Sequence, residues 1–599
     1  MNLKTKPDKK FIWPALTAFF AASMAVLVCY FLKNEVLGCH DSFEEFMFAR
    51  MTGFPEWFRH NLDFMFARGR VGILSSLVIS FRFFILHTGN YTAIWLLQQV
   101  PIWFTVGLLG YVIAKKTRPV FGFLFVGVFA GLVQLDTNHN LMECYPFDFM
   151  YGMSLMILGL YLYDCWLMHK GEKRNGIRLA LSAFFYYESM TVYEPFITAC
   201  IIYALLSLCY VYRDRKENGR KSFFIFVRNL FTHALTAILF FVILKAMKIL
   251  YVVDTVAVTS VDEYGDFSDF VNTWNTFTFA LFPLNDIDNV DVLTSLKVIR
   301  LTPFILLFAL LAAGVMFSAF MSVRSSDAKS RGQDNIRLLV MGLAGFLYAM
   351  SFCLPHSMTA NYQMWVRDLH AEGYLTSSMC YFGWALMVSC VVSILINLLS
   401  STGRPVFALS AVVMSVLFFV ASEVTMNINM VFRESDAVTG QQMSYRGQAF
   451  YSFFTSDYAE DYSAILIYMP GYTGIHFDIG VDDEYADYEV NRNLTLANDI
   501  DWYREQSLYS DYWGVFVYKP SVEAGWYTGI SNPTDPENEW VSNGDLVFVS
   551  THPGTYEFSY VDPGTQQTVT EVIEAGRMEV YPVSNSAHVD TDTIVIAAR

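Results

Sequence analysis

Long apolar runs, separated by short basic loops or longer acidic ones, fill the first 430 residues; short alternating segments broken by turn signals follow. The run 11–31 (FIWPALTAFFAASMAVLVCYF) is long enough to cross a ~30 Å hydrocarbon core as a helix. Lys4, Lys6, Lys9 and Lys10 precede it, and no small-x-small cleavage site follows. A retained signal anchor with a cytoplasmic N-terminus is therefore expected. Further spans are predicted at about 92–114, 119–134, 149–168, 176–190, 196–212, 228–250, 300–321, 338–354, 375–398 and 405–425. The expected fold is a mainly α polytopic membrane protein with about 11 transmembrane helices.

Threading these runs alternately puts Lys115-Lys116-Thr117-Arg118, Lys170 to Arg178, Arg213 to Lys221, Arg324 to Arg337, and Arg404 on the inside. That agreement follows the positive-inside rule, and one missed span would reverse every later loop. It removes one apparent span: counting 71–87 (VGILSSLVISFRFFILH) would place Lys115 and Lys116 outside. That stretch is predicted to be an interfacial or re-entrant helix. The loops left outside, about 32–70, 135–148, 188–195, 251–299 and 355–374, are mostly longer and more acidic.

Residues 431–599 read as a mostly β domain outside the membrane, after a membrane domain at 1–430. Segments 464–468 (AILIY), 513–518 (WGVFVY), 546–550 (LVFVS) and 579–583 (EVYPV) suit strands, with helix allowed near 495–508. Asn532-Pro533, Asn543-Gly544, Pro553-Gly554 and Pro563-Gly564 are predicted turns.

Composition agrees with this division. The chain is 54% hydrophobic, 17% aromatic and only 16% charged, where soluble domains run nearer a quarter charged. Residues 451–599 hold 25 Asp and Glu against 5 Lys and Arg, a balance of −20, which leaves +4 for the rest of a chain of net −16. A tail this acidic excludes nucleic acid as a partner. All nine cysteines precede residue 400, so the tail holds no disulfide; Cys39 and Cys144 fall in loops on one side and could bridge if close enough. The acidic cluster Asp482-Asp483-Glu484, Asp487 and Glu489 lacks Ca²⁺-loop spacing and reads as a solvated face. No P-loop, G-x-S-x-G, H-E-x-x-H or paired C-x-x-C is present.

Candidate chemistry lies in the outer loops. The first holds Asp41, Glu44 and Glu45, then Arg59, His60, Asp63, Arg68 and Arg70, leading into the interfacial helix. A carboxylate near the membrane could take a proton from an attacking hydroxyl, and arginines could hold a lipid phosphate. The second loop carries Glu143, Tyr145 and Asp148, the third Glu188, and a later one His356 and Arg367. The plainer roles are solvated charge, helix capping and, for Arg367, pairing with Asp368.

Three stretches carry a resemblance to the GT-C superfamily of polytopic glycosyltransferases, and within it to the bacterial serotype-converting (O-antigen) glucosyltransferase family. They are His40-Asp41, at the family's acidic pair; Gly69-Arg70, at its Gly-Arg step; and the run Asn140-Leu141-Met142-Glu143-Cys144-Tyr145-Pro146-Phe147-Asp148. Tyr186-Tyr187-Glu188 matches a Tyr-rich step in the next outer loop. The resemblance covers about residues 10–400. It implies a polyprenyl-phosphate sugar donor, a surface-glycan or lipid-linked acceptor, and inversion at the anomeric carbon. Asp41 would be the base, with Glu44 or Glu45 as substitutes. Arg68, Arg70 and Arg367 would neutralise the leaving phosphate. Glu143, Asp148 and Glu188 would bind sugar or acceptor, or hold a divalent metal; some relatives need none, so a cofactor is left open. The alternatives are a transporter or flippase for a lipid-linked sugar and a non-catalytic anchor for the β domain. Mid-span charges are few, which favours a surface reaction over a transport pathway.

Overall fold

Apolar runs of about twenty residues form helices because every backbone polar group must find a partner where water is absent. The structure is a computed structural model of the 599-residue chain. It describes residues 9–33, 42, 45, 46, 48, 49, 52–135, 139–145, 147–169, 175–214, 219–250, 266–285, 302–324, 328–368 and 370–435. In the tail it describes 464–468, 477–479, 493–497, 513–519, 522–530, 542–576, 579–583 and 588–599.

The helices are α1 (Lys9–Phe31), α2 (Phe54–Ala67), α3 (Ile73–His87), α4 (Tyr91–Lys116), α5 (Pro119–Leu132), α6 (Asp148–Met168) and α7 (Asn175–Val192). A 3₁₀ turn, Glu194–Ala199, leads into α8 (Cys200–Arg213), followed by α9 (Ser222–Leu250), α10 (Phe267–Phe279), α11 (Pro303–Val323) and α12 (Ala328–Phe352). One turn, Leu354–Ser357, precedes α13 (Ala360–Asp368), α14 (Leu375–Leu399) and α15 (Arg404–Ser435).

Local chemistry sets several starts. The Asn90 side chain accepts from the Ala93 N–H at 3.0 Å, and Thr302 caps α11 through the Ile305 N–H at 3.2 Å. Prolines 119 and 303 occupy the first turns of α5 and α11, where no donor is missed.

Among the described residues, nine helices are long and apolar enough to cross a membrane: α1, α4, α6, Glu194–Arg213, α9, α11, α12 with its following turn, α14 and α15. Each coincides with an expected span. The other two expected spans differ. Residues 119–134 form a helix of only 14 residues before the chain extends, and 176–190 form α7, 18 residues whose polar positions keep it out of the nine.

Contacts define two ends of this helical unit. At the basic end, Arg118 pairs with Asp334, Lys116 with Asp164, and Arg337 donates to the Lys116 carbonyl at 2.8 Å. Arg331 reaches Ser400 at 2.8 Å there, and Asn397 donates to Asn335. At the opposite ends of α6, α7 and α12, aromatic side chains gather. Between them, Phe129 meets Tyr381 and Phe382 at 4.9 and 4.8 Å, and the Tyr381 hydroxyl donates to the Phe129 carbonyl.

Helix α3 does not run between these ends. Its start is held by Glu188 at the finish of α7, and its Arg82 pairs with Asp148 at the start of α6, so both points lie at the aromatic end. Ile73, Leu77, Phe81 and Phe84 are exposed along one face while Ser75, Ile79, Arg82, Phe83 and Leu86 are buried. That one-sided apolar face, on a helix of 15 residues, is the form of an interfacial element.

The chain divides into two compact units, Met1–Asn34 with Phe54–Phe432, and Glu35–Gly53 with Arg433–Arg599. The sequence assignment had put 35–53 in the membrane unit; here it falls in the second. In that unit, strands β1 (Ala464–Tyr468), β2 (Phe477–Ile479), β3 (Asn493–Ala497), β4 (Trp513–Lys519), β5 (Ala524–Ile530), β6 (Ser542–Ser550), β7 (Gly554–Val561), β8 (Thr568–Ala575), β9 (Glu579–Pro582) and β10 (Val595–Ala598) form two sheets. The larger has order β2-β3-β1-β4-β5-β6-β9, with β1 parallel to β3 and β4; the smaller is β10-β7-β8. Trp526, Phe548, Tyr556, Phe558 and Tyr560 fill one core drawn from both sheets.

Two tail expectations need correction. Residues 493–497 are strand rather than helix, and 498–508 lie outside the described residues. Asn543-Gly544 is no turn but part of β6, where the register with β5 slips between Thr528 and Ile530. A bulge and a tight hairpin turn both need a residue free to leave the extended pleat, so Asn-Gly suits either. Asn532-Pro533 and the acidic cluster at 482–489 lie outside the described residues. Pro563-Gly564 is a turn, held by the Asp562 carboxylate accepting from the Gly564 and Thr565 N–H groups.

Candidate functional site at the aromatic end

The site begins with a clamp. Both Glu188 oxygens accept from the first turn of α3, from the Ile73 N–H at 3.0 Å and the Leu74 N–H at 2.9 Å. A carboxylate there satisfies donors that no intrahelical partner reaches, and its charge suits the positive end of the helix dipole. Tyr187 donates to the Val71 carbonyl at 2.9 Å, and Ser75 and Thr191 share a hydrogen bond at 3.1 Å. The fit excludes a side chain at position 72: a Cβ on Gly72 would collide with the Thr191 hydroxyl and crowd Glu188. Gly69, at φ +73°, would in turn press a Cβ onto the Leu244 backbone.

With 69–75 held in this way, Arg70 reaches Glu194 at the first residue of the 3₁₀ turn. Its Nε and Nη2 donate to the two carboxylate oxygens, both at 2.8 Å. This is the fork geometry that fixes a guanidinium in orientation as well as place. Nη1 takes no part, so donors remain for a second anion. Burial of the guanidinium opposes its charge, but Glu194 outweighs that and holds the Arg70 pKa above the ordinary arginine value. The pair is not sealed: the side chains are 16% and 32% exposed.

Rings surround this pair. Arg70 lies over the Tyr193 ring at 5.8 Å, and the Tyr193 hydroxyl shares a 2.8 Å hydrogen bond with His356 Nε2. His356 packs against Tyr362 at 4.6 Å, Tyr362 against Tyr374 at 5.2 Å, and Trp365 against both tyrosines. Burial pushes the Tyr362 phenol up to about 12, so it is a neutral donor at physiological pH. From the second loop, His139 bonds the Tyr145 hydroxyl at 2.6 Å and packs against Tyr374 at 5.3 Å. That loop is fastened to α4 because Gln98 donates to the Leu141 and Cys144 carbonyls and Gln99 to that of Met142. His139 and Tyr145 both take positive φ. The Cys144 thiol is buried; Cys39 lies outside the described residues.

The sequence-predicted residues separate. Arg70, Tyr145 and His356 enter the ring cluster, and Arg68 stacks on Phe64 at 3.8 Å while its charge reaches Tyr362. Asp148 instead pairs with buried Arg82, and Glu188 holds α3, so neither carboxylate stands open to a sugar or metal. Arg367, 55% exposed, pairs with Asp269 at 2.7 Å and with Asp368, away from the rings. Glu143 donates its backbone N–H to the Asn140 carbonyl within the second loop. Asp41 and Glu44 lie outside the described residues, and Glu45 belongs to the second unit. Among the described residues, no group of three or more His, Cys, Asp or Glu could hold a metal ion.

No family model matches the chain, and no curated protein matches it. Glu194, Tyr193, Tyr362, Tyr374 and His139 were absent from the sequence-based set. The available signal was Tyr193-Glu194-Pro195, a carboxylate opening an apolar run at a loop mouth, but its partner lies 124 residues earlier.

What the site offers is one oriented cation with spare donors, set among aromatic faces, next to a helix whose apolar side faces outward. That combination suits a ligand with an anion, a ring-shaped polar part and a lipid tail.

Proposed function

We propose that this protein transfers a sugar from a polyprenyl-phosphate donor to a surface-glycan or lipid-linked acceptor, as a membrane enzyme of the GT-C kind. The observation that carries this reading is Arg70, locked by Glu194 within the aromatic cluster and beside interfacial helix α3. The phosphate of the donor sits on the free edge of Arg70, the sugar among Tyr193, Tyr362, Tyr374 and Trp365, and the polyprenyl chain along the apolar face of α3. The acceptor hydroxyl attacks the anomeric carbon as the bond to the phosphate oxygen breaks. The hydroxyl proton passes to a carboxylate base, the role the family resemblance gives to Asp41, and polyprenyl phosphate leaves, its charge stabilised by Arg70. Attack opposite the leaving group inverts the anomeric centre.

In this reading α5 and α7 also cross the membrane, giving eleven crossings. Supporting it, Arg118 at the start of α5 meets Asp334, while Asn429 near the end of α15 accepts from the Leu135 N–H and donates to the Val133 carbonyl. Likewise Asn175 at the start of α7 donates to Trp166 at the end of α6, and Glu188 near its finish meets α3. The basic end is cytoplasmic and the aromatic end, with the β tail, lies outside, as the positive-inside rule requires.

The test is glycan analysis of cells carrying Asp41→Asn or Arg70→Gln at unchanged membrane abundance. Either should abolish or reduce the modification by about 10²–10³-fold. Unaltered glycan in both variants would overturn the assignment.

A further inference from the structure

A second site lies at the basic end, on the outside of the bundle. A cavity of about 680 Å³ runs between the end of α6, the start of α7 and the first turns of α9, bordered by Trp166, Asn175, Leu179, Phe224, Arg228 and Phe231. Phe224 and Phe231 are 73% and 63% exposed, so the cavity opens towards the bilayer rather than into the bundle. Asn175 closes its inner end, its amide donating to the Trp166 carbonyl at 3.0 Å.

Arg228 is the charged group in this cavity. It stands six residues into a membrane-crossing helix, about 9 Å along the axis from Ser222. Among the described residues its guanidinium makes no hydrogen bond or ion pair, and no carboxylate lines the cavity. A cation near a helix N-terminus gains nothing from the dipole, and a charge in a membrane segment needs a counter-charge. Arg178 stands beside the cavity with Nη1 3.5 Å from Asn175 Oδ1, adding a second positive charge.

The geometry points to a bound anionic phospholipid of the bilayer, its phosphodiester on Arg228 and its acyl chains along Phe224 and Phe231. Arg228, with no ion-pair partner among the described residues, favours a lipid with net negative charge over a zwitterionic one. The cavity lies at the opposite end of the bundle from Arg70, so a donor reacting there does not occupy it. The inference does not depend on the glycosyl-transfer reading.

Native mass spectrometry of the purified full chain in neutral detergent tests it, after titration with phosphatidylglycerol or phosphatidylcholine. Phosphatidylglycerol should be retained in preference. Arg228→Gln should weaken that retention roughly fivefold, the effect of about one charge at a membrane surface. Thr232→Trp, which projects a ring into the cavity and leaves both arginines in place, should also weaken retention of the lipid. Arg404→Gln, at an exposed arginine opening α15, should leave retention unchanged. Equal retention of phosphatidylcholine, no change in Arg228→Gln, or an equal loss in Arg404→Gln would overturn the proposal. So would displacement of phosphatidylglycerol by stoichiometric polyprenyl phosphate, which would give the cavity to the carrier instead.

Discussion

Two arginine–carboxylate pairs tie helices together at opposite ends of the bundle, and they differ in what surrounds them. At the basic end, Arg118 Nε lies 2.6 Å from an Asp334 oxygen, and that carboxylate is only 5% exposed. Lys116, Asp164 and Arg337 knit the same region. At the aromatic end, Arg70 is no more exposed than Arg118, yet its partner Glu194 is 32% exposed and the neighbours are rings and a histidine. A carboxylate sealed between helices fastens them, and removing its cation leaves a buried charge. One that keeps a third of its surface open can hold its arginine in place while the arginine meets something else. The contrast separates a structural pair from one available for chemistry.

Arg118→Ala should have the largest effect, costing about 3–5 kcal/mol by stranding Asp334. A thermal unfolding midpoint in detergent reads this directly. Equal losses from Arg118→Ala and Arg70→Ala would erase the distinction. Arg70→Ala should cost no more than about 1 kcal/mol of stability, because solvent screens the exposed carboxylate, while surface-glycan modification falls about 10²–10³-fold.

Glu188→Gln should cost about 1.5–2 kcal/mol, since the amide keeps one acceptor oxygen, turns an NH2 towards the second backbone donor of α3 and lacks the charge that suits the helix end. Because Arg70 stands three residues before Ile73, the same variant should lower modification without touching the ring cluster. Full activity in Glu188→Gln would show that α3 does not position Arg70. Arg367→Ala should move neither quantity beyond scatter, as its partners are Asp269 and Asp368 in an exposed setting. A clear loss there would extend the site beyond the rings.

The helical unit was legible to different depths along the chain. Runs such as 11–31 and 375–398 announce spans because lipid demands about twenty apolar residues whatever the neighbours are. The interfacial character expected for 71–87 rested on the Lys115 and Lys116 charges beyond it, and α3 has the length and one-sided face of such a helix. Asn175–Val192 was harder: its polar positions, Ser182, Glu188 and Thr191, are buried against other helices, so average hydropathy understates how it packs. Asp148 and Glu188 looked like open carboxylates because loop position says nothing of Arg82 or of the Ile73 and Leu74 N–H groups.

Hydropathy and loop charge therefore dictated the class of protein, a multi-pass helical membrane unit with a β-rich tail, because solvent preference is local and additive along a chain. Only tertiary contact selected Glu194 over Glu188 as the partner of Arg70. Only it gathered Tyr193, His356, Tyr362, Tyr374 and His139 from three separate loops. Such pairings depend on which helix ends meet, and a carboxylate carries the same sequence signature whether its neighbour is a guanidinium, a helix N-terminus or water.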